Sequence, residues 1–248
     1  MRVSLRVLLV AFLAFSGLTA QTPAPSQPAA KPLRHLEYSF AVHEEGVNEY
    51  HYNGINMATG TGAGVGGGAA NLGGAGTMFV DVISIAPDGA LKVNISEQIE
   101  REPRPGQVYT CTVYGSTAVL CPSVPSPSDA QWILLSYLGR QFVDAAPWDA
   151  NKHWQRKVTN AQYTLVEDFT ITDDSNGKKM LIREHKKMDL HNGGYDTQAE
   201  DVNIVYDRSM EVPVSIHDEA QDAGSAGSSH ASFDFALLHD SFEKAGSP

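Results

Sequence analysis

The 248-residue chain has only 2 cysteines. That excludes a disulfide-dense mini-scaffold and any four-cysteine zinc or iron–sulfur site. Positive charge is also scarce, with 18 Lys and Arg against 29 Asp and Glu, for a formal net charge of −11. Nucleic acids and anionic membrane surfaces select basic proteins, so neither is an expected partner. No apolar run reaches the about 20 residues that a transmembrane helix needs, so no transmembrane segment is expected.

Chemical motifs are equally thin. No H-x-H, H-E-x-x-H or G-x-S-x-G occurs among the residues, which leaves zinc hydrolysis and the nucleophile elbow without support. S-x-x-K appears twice, at Ser175 to Lys178 in a turn and at Ser241 to Lys244 near the chain end. Neither begins a buried helix, as that chemistry requires. Asp173, Ser175 and Gly177 resemble the start of a calcium loop, but Lys178 and Lys179 follow in place of a closing acid. His35 and His43 share one strand face about 24 Å apart, too far for one metal. No catalytic residue, metal ligand or cofactor is assigned, and the histidines are expected on the surface.

The first residues carry an address. Arg2 and Arg6 precede the apolar run Val7 to Phe15, and Ser16 to Ala20 are small or polar apart from Leu18. This pattern predicts a secretory signal peptide over residues 1–20 and a soluble periplasmic or secreted product. Loss of Arg2 and Arg6 takes the charge from −11 to −13. Residues 21–32, QTPAPSQPAAKP, carry no large apolar side chain and are expected to form a disordered tether. One β-rich domain is expected over residues 33–248.

An oxidising compartment gives the cysteines a role. Cys111 and Cys121 flank CTVYGSTAVLC, two β-type runs about a turn at 115–117. A three-residue loop there pairs 113 with 119 and 111 with 121, which predicts a disulfide across the hairpin.

Alternation of period two dominates the rest. Leu36, Tyr38, Phe40 and Val42 form one apolar face. Residues 78–85 turn at Pro87-Asp88-Gly89 into 91–99, and 163–171 turn at 173–177 into 180–190. Further strands are expected at 202–206, 212–216 and 233–237, making about ten. One segment breaks the pattern. Ser126, Pro127 and Asp129 offer a helix start, and Trp132, Leu135, Leu138 and Phe142 recur at spacings of three and four. An amphipathic helix is expected over 127–143.

The expected fold is mainly β, a single curved antiparallel sheet forming an open or half barrel, with the helix against its inside. In element order this resembles the lipoprotein-localisation carriers of the bacterial periplasm and similar half-barrel proteins. A closed barrel is the alternative.

Two biased stretches remain. Residues 54–76 hold ten glycines, and Gly62 to Gly67 match G-x-G-x-x-G. With no strand before and no helix after, that match carries no nucleotide site, and a thinly packed crossover is expected. Residues 196–222 hold the acids Asp196, Glu200, Asp201, Asp207, Glu211, Asp218, Glu219 and Asp222, with Arg208 as the only base. They are expected to form a solvated strand face.

The functional expectation comes from compartment and resemblance. The chain is read as non-enzymatic, binding a lipid or hydrophobic small molecule, or an envelope protein, between helix and sheet. Trp132, Leu135, Leu138 and Phe142 on the helix and Tyr38 and Phe40 on the first strand are the candidate lining. A structural or protein-interaction module with a filled core is the alternative, and an unrecognised hydrolase the third reading.

Overall fold

Pairing between the first and last strands organises the molecule. The computed structural model describes residues 31–46, 70–100, 106–115, 118–122, 126–139, 143–144, 146–173, 177–191, 197–224 and 227–242. The expected signal peptide, most of the tether and residues 54–69 of the glycine tract lie outside these.

In chain order the elements are β1 (Arg34–Gly46), β2 (Ala70–Ile85), β3 (Leu91–Ile99), β4 (Tyr109–Val113), β5 (Val119–Leu120), α1 (Asp129–Ser136), β6 (His153–Thr159), β7 (Tyr163–Asp173), β8 (Lys179–Leu190), β9 (Thr197–Asp207), β10 (Val212–Gly224) and β11 (Gly227–Asp240). All strands join one antiparallel sheet in the order β5-β4-β3-β2-β1-β11-β10-β9-β8-β7-β6. The sheet does not close, and its free edges are β5 and β6.

Alternation puts one side of every long strand inside. Leu36, Tyr38 and Phe40 of β1, Met78 and Val80 of β2, Val93 and Ile95 of β3, and Phe233 and Phe235 of β11 share one buried core with α1. The sheet is curled about that helix. Ser128 donates its hydroxyl to Glu97 of β3 at 3.0 Å, and the Tyr137 hydroxyl donates to Glu184 of β8. Six strand steps separate β3 from β8, about 29 Å in a flat sheet. The eight-residue helix is about 12 Å long, so only a rolled sheet brings both strands to it. Register shifts at Glu37/Tyr38, Val82/Ser84 and Pro213/Ser215 add local bends near one end. The last also accommodates Pro213, which lacks the ladder donor.

Three expectations are revised. The helix spans Asp129–Ser136 rather than 127–143. Its N-cap is Ser128, which accepts from Gln131 N while the Gln131 side chain accepts from Ser128 N. It ends at Tyr137, with Gly139 in the left-handed region at φ 80. Nor is it amphipathic, because Ala130, Gln131, Ile133, Leu134 and Leu135 are all buried. A further strand lies outside the expected set. HWQRKVT of β6 lacks apolar alternation, because inward-facing Arg156 replaces an apolar residue and pairs with Glu167.

Finally, the glycine tract is not all crossover. Residues 70–76 extend β2 against β1, with Gly76 opposite Phe40 and Gly74 opposite Val42. A Cβ on Gly76 would stand 2.1 Å from the Gln98 carbonyl oxygen and 3.0 Å from the Phe40 ring. Glycine lets the Phe40 ring and the β3 backbone close over this point.

The β4–β5 hairpin has the expected register, with Val113 opposite Val119 and Thr112 opposite Leu120. Cys111 and Cys121 are disulfide-bonded, with Cα atoms 4.3 Å apart. The bond ties down a two-residue edge strand that has few ladder bonds of its own.

Gly76→Ala should lower stability by about 1–3 kcal/mol through overpacking. Gly74→Ala, with open space around its Cβ, should be neutral or stabilise by up to about 1 kcal/mol; urea unfolding of both variants makes the comparison. Replacing both cysteines by serine should cost about 2–3 kcal/mol, the loop-entropy value for a loop of about ten residues, measured the same way.

Candidate functional site

Two features of the interior bear on function, an apolar cleft at one end and a belt of buried charge across the inner face. The cleft opens where the β2–β3 turn, the β9–β10 turn, the start of β1 and the end of α1 meet. Its volume is about 630 Å³. Leu33, Leu36, Val82, Ile85, Leu91, Leu138, Met210, Val212 and Phe242 supply apolar walls, and Arg34, Asp144, Ser209 and Glu211 the polar ones.

Arg34 ties the rim together. Its Nε and Nη2 donate to Asp240 at 2.9 and 2.5 Å, and Nη2 also reaches the Met210 carbonyl at 2.6 Å. The guanidinium lies 5.0 Å from the Phe242 ring centroid. At the β9–β10 turn the Asp207 carboxylate accepts from Ser209 N and Met210 N, fixing the loop that presents Met210. Glu211 in that loop has a left-handed φ of 58, a conformation that costs a non-glycine residue roughly 1–2 kcal/mol.

The candidate lining residues divide. Leu138 lines the cleft. Leu135, Tyr38 and Phe40 are core side chains, and Trp132 packs against that core partly buried. The Tyr38 hydroxyl donates to the Pro213 carbonyl at 2.9 Å, and burial pushes its phenol well above the usual range, so it keeps its proton. Phe142 lies outside the described residues. At the far side, Trp154 stacks on Phe169 at 4.5 Å, with Trp148 edge-on to both.

The belt comes from inward-facing polar positions on five successive strands. Arg156, Glu167, Lys186 and Glu200 stand side by side in register on β6, β7, β8 and β9. Arg156 Nη2 donates to Glu167 at 2.6 Å, and Lys186 Nζ donates to Glu200 at 2.6 Å. One row along, Glu184 lies 3.8 Å from Lys186 Nζ and accepts from Tyr137. Asp218 of β10 stands between Val202 and Phe233 in register. Neither of its oxygens nor Gln131 Nε2 makes a well-formed hydrogen bond among the described residues, but the Glu200 carboxyl lies beside Asp218 and interacts with it.

Glu167, Glu184, Glu200 and Asp218 are all buried. Burial pushes the Glu184 carboxyl up to about 8, and the nearby Glu167 and Glu200 add to the shift against the opposing effect of Lys186. Burial likewise raises Asp218 well above the carboxylate range, helped by Glu200. Burial alone would lower Lys186, but Glu184 and Glu200 hold it well above its ordinary value. The expected solvated acidic strip is thus corrected. Glu200 and Asp218 face the interior, and of the other acids Asp196 lies outside the described residues.

On the outer face, histidines pair with acids. His217 has Asp234 at 2.7 Å on Nδ1 and Glu219 at 3.2 Å on Nε2, and His35 has Asp81 at 2.6 Å and Glu37 at 3.2 Å in the same arrangement. Each carboxylate meets a different ring nitrogen, an arrangement that suits the imidazolium and gives a metal no point of convergence. No group of three or more His, Cys, Asp or Glu among the described residues could hold a metal ion. Asp173, at the start of the calcium-like stretch, is held by Lys152 and Arg208.

Sequence reasoning missed Leu33, Arg34, Ile85, Met210 and Phe242 because they come from separate strand ends and turns. The belt did leave a signal. Glu184 and Lys186 are in phase with Met180, Ile182 and Met188, all on the inner face of β8. No protein family, curated protein or solved structure matches the chain.

The belt makes Lys186 a keystone. Lys186→Met should destabilise by about 3–5 kcal/mol, because it strands a buried carboxylate. Adding Glu200→Gln should recover at least about 1 kcal/mol of that loss. Urea unfolding of the two variants checks this, and an unchanged midpoint for Lys186→Met would contradict it.

Proposed function

We propose that the protein is a non-enzymatic binding domain that holds an apolar or amphiphilic small molecule, a lipid or similar compound, in the cleft. The observation that carries this reading is the combination of an apolar cleft with an exposed apolar rim. Leu33, Ile85 and Phe242 are 63%, 60% and 53% exposed at its edge. The volume lies within the range of small-ligand sites, about 300–1,000 Å³. Arg34 is already matched by Asp240, and the other charged residues of the lining, Asp144 and Glu211, are acidic. With Arg34 already matched, the rim favours a neutral head group over an anionic one. Export to a periplasmic or extracellular setting, and the resemblance in element order to lipoprotein-localisation carriers, belong to the same proposal.

A second reading has its own support. The space between α1 and the sheet is filled by Ile133, Leu134, Leu135 and Tyr137, each at most 1% exposed, as in a protein-interaction module with a packed core. Binding decides between them. Titration with the neutral fluorophore N-phenyl-1-naphthylamine should show one saturable site, weakened at least about tenfold by Leu33→Asp or Phe242→Asp, a loss of about 1.4 kcal/mol. Both positions are exposed, so the folded state should survive these changes, as circular dichroism will report. Absence of saturable binding, or binding indifferent to both variants, would favour the interaction module.

A further inference from the structure

On the outer face one small arrangement occurs twice. His35-x-Glu37 of β1 has Asp81 of β2 opposite its histidine, and His217-x-Glu219 of β10 has Asp234 of β11 opposite its own. Period two puts each histidine and the acid two residues on along the same side of the sheet. Antiparallel register then supplies a second acid directly across from the ring. We propose that these are proton-set clasps: an imidazolium at His35 fastens β1 to β2, another at His217 fastens β10 to β11, and both tighten the domain in mildly acidic surroundings.

Bonding geometry requires the charge. In each clasp the cross-strand Asp meets Nδ1 and the same-strand Glu meets Nε2, at 2.6 and 3.2 Å for His35 and at 2.7 and 3.2 Å for His217. A neutral imidazole has one N–H and one lone pair. Either tautomer therefore satisfies one carboxylate and turns its lone pair toward the other, and only the imidazolium donates to both. Partial burial by itself would lower the His35 ring, but its bonds to Asp81 and Glu37 outweigh that and raise it. At His217 the Asp234 bond leads, and that ring is raised as well.

The neighbouring strands leave these pairings in place. Around His35, Asn94 of β3 stands opposite Asp81, and His239 of β11 stands opposite Glu37. Arg34, next in sequence, is committed to Asp240 and the Met210 carbonyl. Beside His217 on β9 are Asn203, and Asp201 opposite Glu219, with Asp201 bonded to His185. Arg183 of β8 lies one strand further, opposite Asn203. Position gives the clasps leverage. β2, β1, β11 and β10 are consecutive in the sheet, so the two clasps fasten the strand pairs on either side of the central β1–β11 seam.

A ring raised on folding contributes stability that is fully present below its ordinary value of 6.5 and lost as pH rises through the folded value. Long-range ¹H–¹⁵N NMR of the wild type at pH 6.5 should show both ring nitrogens of His35 and His217 protonated. Asp81→Asn/Asp234→Asn should lower the proton affinity of each ring at least about threefold, roughly half a pH unit. In urea, the unfolding constant should rise between pH 5.5 and 7.5, a window below the titration of Glu184 at about 8. That rise should be at least about threefold larger in the wild type than in His35→Gln/His217→Gln, the modest scale of surface ion pairs. All six side chains lie at the surface, so both variants should keep the fold, as circular dichroism will report.

A single protonated nitrogen on each wild-type ring at pH 6.5, or proton affinities unchanged in the Asn variant, would overturn the clasps. Equal pH slopes in the wild type and the Gln variant would overturn their hold on stability.

Discussion

The antiparallel pairing of β1 with β11 runs from Leu36 opposite Asp240 to Gly46 opposite Ser229. It puts the two ends of the domain side by side in the middle of the sheet, and the rest of the architecture depends on it. A meander closed in this way must leave its two free edges in mid-chain, at β5 and β6. The connection between them has to pass from one edge to the other. By crossing the inner face it covers the apolar side chains of both halves, which is where α1 lies. The burial of Ile133, Leu134 and Leu135 is therefore a consequence of topology as well as of hydrophobicity. The hydrogen bond from Tyr137 to Glu184, on the ninth strand counted from the β5 edge, is a consequence of the same crossing.

That topology explains the uneven reinforcement of the edges. β5 has two residues and is tied by a disulfide to β4. β6 is longer and presents Lys157, a charged residue of the kind that discourages pairing with another chain. Trp148 covers its start by packing against Trp154. The centre of the sheet needs no such devices, because β1 and β11 are flanked by long partners. There the constraint is proximity, met at Gly76 by leaving out a side chain.

Much of this was legible in the residues. Phe40 and its neighbours on β1, the register of the cysteine hairpin and the paired strands about Gly89 follow from period-two alternation and turn chemistry. What escaped has a common cause. Alternation is read through apolar residues, so a strand whose inward positions are charged looks like no strand at all. Arg156 hid β6 for that reason, and Glu200 and Asp218 passed for solvent-facing acids although their phase with Val202, Ile204 and Ile216 places them inside. The helix was overextended because Leu138 continues its spacing, and only the backbone at Gly139 shows the turn away. The cleft was hidden more deeply. Its walls come from a strand start, two turns, a helix end and the chain end, and no local pattern joins such segments.

A buried ion network is a costly way to fill an interior. Apolar residues of similar volume often stabilise as well or better, and the inner faces of β1, β2 and β3 show that this chain can supply them. The belt occupies only the β6 to β10 side, the side on which the helix ends. It also carries more carboxyls than cations, a composition that is neutral only with protons counted as components. Protons differ from side chains in that their occupancy depends on the surroundings. Because burial raises Glu184 and Asp218, ionising them as pH rises costs stability on the side where the Tyr137 hydroxyl and ring meet the belt. Apolar packing there would have been firmer and unresponsive.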